Sequence, residues 1–100
     1  MRSHTTAKFR ELLDAAPEQV RSKAEVAYRL WSDNPAHPSL RYKKVHRELP
    51  IYSVRIDIDW RAVGVLRDGE MVWFWIGPHD EYEQLLAKRV LGSFLEAAAA

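Results

Sequence analysis

The chain has no cysteine and only four glycines among its 100 residues, none of them close together. The first absence excludes disulfides and thiolate metal sites, and the second excludes a glycine-rich phosphate loop. No apolar run approaches the roughly 20 residues that span a bilayer, and the opening stretch MRSHTTAKFRELL lacks the apolar core of a signal peptide. A soluble, cytoplasmic protein with no membrane contact is the expectation. There is no G-x-S-x-G elbow and no carboxylate pair at a telling spacing, and His4, His37, His46 and His79 show no ligand spacing such as H-x-x-x-H. Neither a metal nor a cofactor is expected.

Acidic side chains are also missing locally. Between Pro35 and Arg47 there is none, while Arg41, Lys43, Lys44 and Arg47 supply four cations in a chain whose net charge is only +1. Such a stretch reads either as an edge strand kept soluble by its charges or as a phosphate-contacting surface. Acids gather instead at Asp80, Glu81 and Glu83. The composition, 47% hydrophobic and 29% charged, is that of one globular domain over residues 1–100. Trp31, Tyr52, Trp60, Trp73, Phe74 and Trp75 are the expected bulk of its core.

Phe9, Leu12 and Leu13 fall at helical spacing, with Thr5 or Thr6 available as a cap. Pro17 opens a second helix with the stripe Val20, Ala24, Ala27, Tyr28 and Trp31, which SDNPAHP ends. The period then changes to two. YSVRIDID places Tyr52, Val54, Ile56 and Ile58 on one face and leaves Ser53, Arg55, Asp57 and Asp59 on an open one. WRAVGVL and EMVWFWI form two further strands joined at Asp68-Gly69, a strong hairpin signal, and LRYKKV forms a weaker strand before them. After Gly77-Pro78, Tyr82, Leu85, Leu86 and Val90 predict a C-terminal helix ending in a frayed alanine tail. The expected fold is α+β: two N-terminal helices packed on a three- or four-stranded antiparallel sheet, closed by a C-terminal helix.

The greasiest strand, MVWFWI, runs into His79-Asp80-Glu81-Tyr82, and a strand serving only as core needs no such ending. Arg55 and Arg61 share parity, so adjacent strands bring both guanidiniums to one side. Two arginines there form a phosphate clamp, because the planar fork binds phosphate oxygens bidentately and stays charged. A histidine titrates near neutral pH and suits proton transfer, and a tyrosine hydroxyl donates a hydrogen bond. Together these groups suit metal-free RNA cleavage, which needs charge stabilisation at phosphorus, a base for the 2′-hydroxyl and an acid for the leaving 5′-oxygen. Each residue also has a structural reading. Arg55 and Arg61 pair with Asp57 and Asp59, His79 caps its helix, and Tyr82 packs under the sheet.

Phe9, NPAHPSL, YSVRIDIDWRAVGVL and WFWIGPHDEYEQLL, spread over most of Phe9 to Leu86, resemble the RelE/ParE superfamily of bacterial toxins, particularly its small RelE- and HigB-like members. The resemblance implies a RelE-like fold and the toxin of a type II toxin–antitoxin system. It implies an endoribonuclease, or mRNA interferase, that cleaves messenger RNA on the ribosome, inhibits translation, leaves a 2′,3′-cyclic phosphate and uses no metal. It also implies a cognate antitoxin. By position, Arg61 matches the family arginine that clamps the scissile phosphate, Arg55 a basic residue on the preceding strand, and His79 the catalytic histidine or arginine after the last strand. Tyr82 lies near a functional tyrosine and is the reserve base. Arg41, Lys43, Lys44 and Arg47 are the residues expected to contact RNA and ribosome. Two positions depart from the pattern: Ser53 stands where a second basic residue is expected, and Tyr82 is closer to His79 than in the best-known members. Two rival readings remain, a ParE-type toxin that poisons DNA gyrase and a non-catalytic docking module of the same fold. Activity of an Arg61→Ala variant separates the nuclease reading from the docking module.

Overall fold

The first helix starts where Thr6 Oγ1 accepts the Phe9 amide at 3.1 Å, satisfying one of the unpaired donors of the first turn. The computed structural model describes residues 2–87 and 91–99. In chain order they form β1 (Ser3–Thr5), α1 (Ala7–Asp14), α2 (Glu18–Asp33), a 3₁₀ turn (Pro38–Leu40), β2 (Lys43–Lys44), β3 (Ile51–Asp57), β4 (Trp60–Arg67), β5 (Glu70–Pro78), α3 (His79–Ala87) and α4 (Leu91–Ala99). The fold class is α+β. Its sheet has five described strands in the order β1-β5-β4-β3-β2. The expected antiparallel meander forms its centre, and β1 adds a parallel edge against β5 that the sequence reading did not contain.

Asp68 and Gly69 close the β4–β5 hairpin with φ of 49° and 79°, and a tight turn with two positive φ values matches the twist of the strands it joins. The β5 strand then departs from strict alternation. Val63 pairs with Trp75 and Gly64 with Trp73, so Phe74 is an extra residue bulged between them. Met71, Trp73 and Ile76 consequently face one core, whereas Val72, Phe74 and Trp75 face the other. Trp75 needs room on its side: a Cβ on Gly77 would lie 2.5 Å from its indole ring. Glycine is the residue that permits that approach.

Both faces of the sheet are covered. On one, α1 packs on β5 and α2 on β3, burying Phe9, Ala24, Ala27 and Trp31 against Val54, Ala62 and Trp73. On the other, α3 and α4 cover Ile51, Val63, Phe74 and Trp75 with Tyr82, Leu85 and Leu91. Four aromatic residues expected in the core, Trp31, Trp73, Phe74 and Trp75, are buried, whereas Tyr52 and Trp60 are half-buried at its margin.

Several expectations are corrected. The face of Ser53 is not open: Ser53 is 2% exposed, because α3 lies over it. Ile58 does not continue the inward row, since β3 ends at Asp57, and Ile58 is 66% exposed in the following turn. Tyr28 is likewise exposed on α2. The strand expected over LRYKKV shrinks to Lys43–Lys44, because Leu40 belongs to the 3₁₀ turn and Arg41 caps it with φ of 47°. The single C-terminal helix is two described helices. Val90 and Ala100 lie outside the described residues, and α4 extends through Ala99. Among the described residues no helix is long and apolar enough to cross a membrane.

Candidate functional site

In the sheet register Arg55 lies opposite Arg61, and Arg61 lies opposite Gly77. Directly opposed residues project from the same face, so the row carries two guanidiniums and then a residue with no side chain at all. Ile56 is bulged between Arg55 and Asp57, and it leaves the Arg55–Arg61 parity intact. The same face, one step further into the sheet, holds the row Lys43–Ser53–Val63–Trp75. Arg55 also borders a shallow cavity of about 220 Å³ at the sheet edge with Lys23 and Leu40.

Arg61 does not pair with Asp57 or Asp59 through their carboxylates. Its Nη1 donates to three backbone carbonyls of the turn between β3 and β4: Asp57 at 2.9 Å, Ile58 at 3.2 Å and Trp60 at 3.0 Å. The rest of the fork has no partner among the described residues. Partial burial, and then the positive charges of Arg55 and Arg41, push the Arg61 guanidinium below its ordinary value, opposed by Tyr82 and Asp59. Arginine nevertheless remains protonated. The like charges of Arg41 and Arg55 act on Arg61 despite the opposing Asp59 carboxylate, and an anion placed among the three would relieve the repulsion between them.

The same turn holds His79. The Asp59 carbonyl accepts the His79 amide at 2.6 Å, so the turn clasps Arg61 by its side chain and His79 by its backbone. His79 opens α3, its ring is half-exposed, and Nδ1 stands 3.6 Å from the Glu83 carboxylate one turn on. Tyr82 takes the packing role that was its structural reading. It is buried, its ring lies 6.5 Å from that of Trp75 and 5.7 Å from that of His79, and its hydroxyl donates to Ser53 Oγ at 3.2 Å. A phenol so engaged and shielded is not aimed at a solvent-borne substrate, and the reserve role of base is not supported by its placement.

The basic segment is divided by the sheet. Lys43 shares the face of Ser53, and Arg41 is close enough for its charge to act on Arg61. Lys44 pairs with Tyr52 and projects from the opposite face, and Arg47 is exposed in the loop before β3. The two histidines of this stretch serve the backbone: His37 Nδ1 accepts the Ser39 amide at 3.2 Å, and His46 Nδ1 accepts those of Glu48 and Leu49 at 3.1 and 2.9 Å. Two groups escaped sequence reasoning. Ser53 was visible only as a departure, although its parity with Arg55 was legible, and nothing in the sequence signals the Asp59 carbonyl.

No functionally curated protein matches the chain by sequence. Solved structures do match its fold. YafQ from E. coli strain BL21(DE3) is similar over 82% of this chain and 98% of its own at 14% identity, with a TM-score of 0.66. The RelB–RelE antitoxin–toxin complex from Methanococcus jannaschii gives 0.66 at 11% identity, over 80% of this chain and 94% of the other. The toxin–antitoxin complex RelBE2 from Mycobacterium tuberculosis gives 0.60 at 20% identity, over 77% and 95%. A family profile described as a ParE-like toxin domain matches residues 18–84, from the start of α2 to the middle of α3. That match spans more than half of the chain and takes in Arg41, Arg55, Arg61 and His79, so the chain belongs to the ParE-like toxin domain family, within the RelE/ParE superfamily.

Proposed function

We propose that this chain is the toxin of a type II toxin–antitoxin pair and acts in the bacterial cytoplasm as a ribosome-dependent endoribonuclease. The observation that carries the reading is the convergence of Arg41, Arg55 and Arg61 at the end of the sheet where β5 delivers His79. A scissile phosphate would sit among the cations, held by the unspent N–H groups of Arg61 and by Arg55. As the 2′-hydroxyl oxygen bonds to phosphorus, negative charge grows on the phosphoryl oxygens, and fixed guanidiniums stabilise it without reorganising. His79, half-exposed beside this cluster, moves the proton, either from the 2′-hydroxyl or to the departing 5′-oxygen. Tyr82 acts through its packing: the bond to Ser53 sets the first turn of α3 and with it the His79 ring. Arg41 and Lys43 extend the cationic surface toward RNA or ribosome, while Lys44 and Arg47 contribute at a distance from the site.

A cognate antitoxin that covers the toxin is the expected protein partner, supported by relatives of this fold solved as RelB–RelE and DinJ–YafQ complexes. The description of the family profile favours a second reading, a ParE-type toxin acting on gyrase. One experiment separates them: induced expression of wild type and Arg61→Ala, with primer extension on a translated and an untranslated message. New 5′ ends on the translated message alone, absent in the variant, are expected. Growth arrest without new ends would support the gyrase reading instead.

A further inference from the structure

His79 is held at three points, and each uses a different part of it. Its amide is taken by the Asp59 carbonyl at 2.6 Å, which ties the residue to the turn that also binds Arg61. Its ring lies beside that of Tyr82, with 5.7 Å between the ring centres and a tilt of 46°, and Tyr82 is itself buried and bonded to Ser53. The third point is Nδ1, 3.6 Å from Glu83 Oε1. His79 opens α3 and Glu83 stands one turn on, so the two share a face of the helix. Helical side chains lean toward the N-terminus, and this carries the Glu83 carboxylate back over the imidazole. Of the other acids at this end of α3, Asp80 accepts the Glu81 amide at 3.0 Å, and Glu83 is the one that meets the ring. Nε2 has no partner among the described residues and is the nitrogen left for a substrate.

A carboxylate beside one imidazole nitrogen decides where the proton of the neutral ring resides, since it accepts an N–H there and repels a lone pair. Free histidine side chains favour the proton on Nε2, so a carboxylate at Nδ1 reverses the ordinary preference. A separation of 3.6 Å exceeds a hydrogen bond, and catalytic pairs often stand long before the substrate arrives and tighten with it. An exposed pair of this kind adds little to stability. What it sets is the nitrogen that carries the proton.

We infer that Glu83 is a positioning residue that holds the proton of the neutral His79 ring on Nδ1, so that His79 serves as the base of the reaction through Nε2. The inference rests on the nuclease reading and assigns the proton transfer which that reading leaves open. The 2′-hydroxyl proton passes to Nε2 as the 2′-oxygen bonds to phosphorus. The bond from phosphorus to the 5′-oxygen breaks, that oxygen takes a proton from water, and the imidazolium returns its own to the hydroxide so formed. In between, the Glu83 carboxylate stabilises the imidazolium. The test is nitrogen NMR of the full chain, isotope-labelled at histidine, in alkaline buffer where imidazoles are neutral, with the His79 ring assigned through His79→Asn. Wild type should carry the proton on Nδ1. Glu83→Gln, whose amide oxygen still accepts, should keep it there, and Glu83→Ala should move it to Nε2. In single-turnover cleavage of a ribosome-bound message, Glu83→Ala should slow the step about tenfold, a small part of the roughly 10²–10⁴-fold that a positioned base supplies, with message binding unchanged. A role confined to helix stability would leave the tautomer unmoved in Glu83→Ala. That result, a wild-type ring protonated on Nε2, or an unchanged cleavage rate in Glu83→Ala would overturn the inference while the nuclease reading stands. No cleavage by folded wild type would remove that reading and this inference together. Should Glu83→Ala fail to fold, the wild-type spectrum still supports or overturns the assignment.

Discussion

Arg61 secures the turn between β3 and β4 and, in the proposed reaction, also holds the phosphate, so its substitution should register in both stability and turnover. Arg61→Ala removes the Nη1 bonds to the Asp57, Ile58 and Trp60 carbonyls and would remove the fork proposed to hold the phosphate. Loss of one such charge-stabilising donor lowers turnover by about 10²–10³-fold, and loss of the turn bonds costs about 1–2 kcal/mol in chemical denaturation. Tyr82→Phe should behave differently. It leaves Ser53 Oγ without its donor, so we expect about 1 kcal/mol of lost stability with cleavage largely retained. If Tyr82→Phe abolished cleavage without loss of stability, its hydroxyl would be chemical rather than structural. Arg41 sits in the left-handed region with φ of 47°, a conformation that costs a side-chain-bearing residue about 1 kcal/mol. Arg41→Gly should therefore raise the unfolding free energy by about that amount while weakening retention of RNA on the sheet face.

The turn between β3 and β4 is the element on which the site depends. It is secured from outside by Lys23 of α2, whose Nζ lies 3.0 Å from Asp57 Oδ2, and from within by the Ile58 amide, 2.6 Å from Oδ1. These hydrogen bonds, the Lys23 bond first, hold the Asp57 carboxyl below its ordinary value of 3.8. Because the folded-state value is the lower one, the stabilisation is fully present above the unfolded value and is lost as pH falls through the folded one. Urea unfolding of wild type and Asp57→Asn should then show a stability gap that is constant above about pH 5 and closes in more acid solution. A gap that persisted unchanged into acid would mean that the ion pair does not secure the turn. At the end of β5, Gly77→Ala would drive a Cβ to 2.5 Å from the Trp75 ring. Overpacking of this kind costs about 1–3 kcal/mol, and near-UV circular dichroism should report the displaced indole.

For the molecule as a whole, burial of both sheet faces explains what could be read from the sequence and what could not. The strand MVWFWI carries no alternation to read, because helices cover it on each side, and the bulge at Phe74 redistributes its side chains between two cores. The hairpin at Asp68-Gly69 was legible and the cap of α1 was narrowed to Thr5 or Thr6, since each is decided by a few adjacent residues. β1 was not: Ser3–Thr5 has no strand pattern of its own and is recruited by the edge of β5. Ile58 kept the alternation going past the end of the strand, and only the tertiary turn shows it outside. In the site, the parity of Arg55 and Arg61 followed from counting residues. The cover over Ser53, the burial of Tyr82 and the clasp of one turn on both Arg61 and His79 arise from packing between distant segments, which periodicity does not encode.

Cleavage at one cationic site is the central proposal, and the most direct measurement of it is a purified one. Wild type, Arg61→Ala and His79→Ala are added to reconstituted ribosomes paused on a defined message, and the 3′ ends of the products are analysed for a cyclic phosphate. The account predicts 2′,3′-cyclic ends with wild type, dependent on the ribosome, and reduced by about 10²-fold or more in both variants. Ends formed equally well by Arg61→Ala, or no cleavage by a folded wild type, would contradict it.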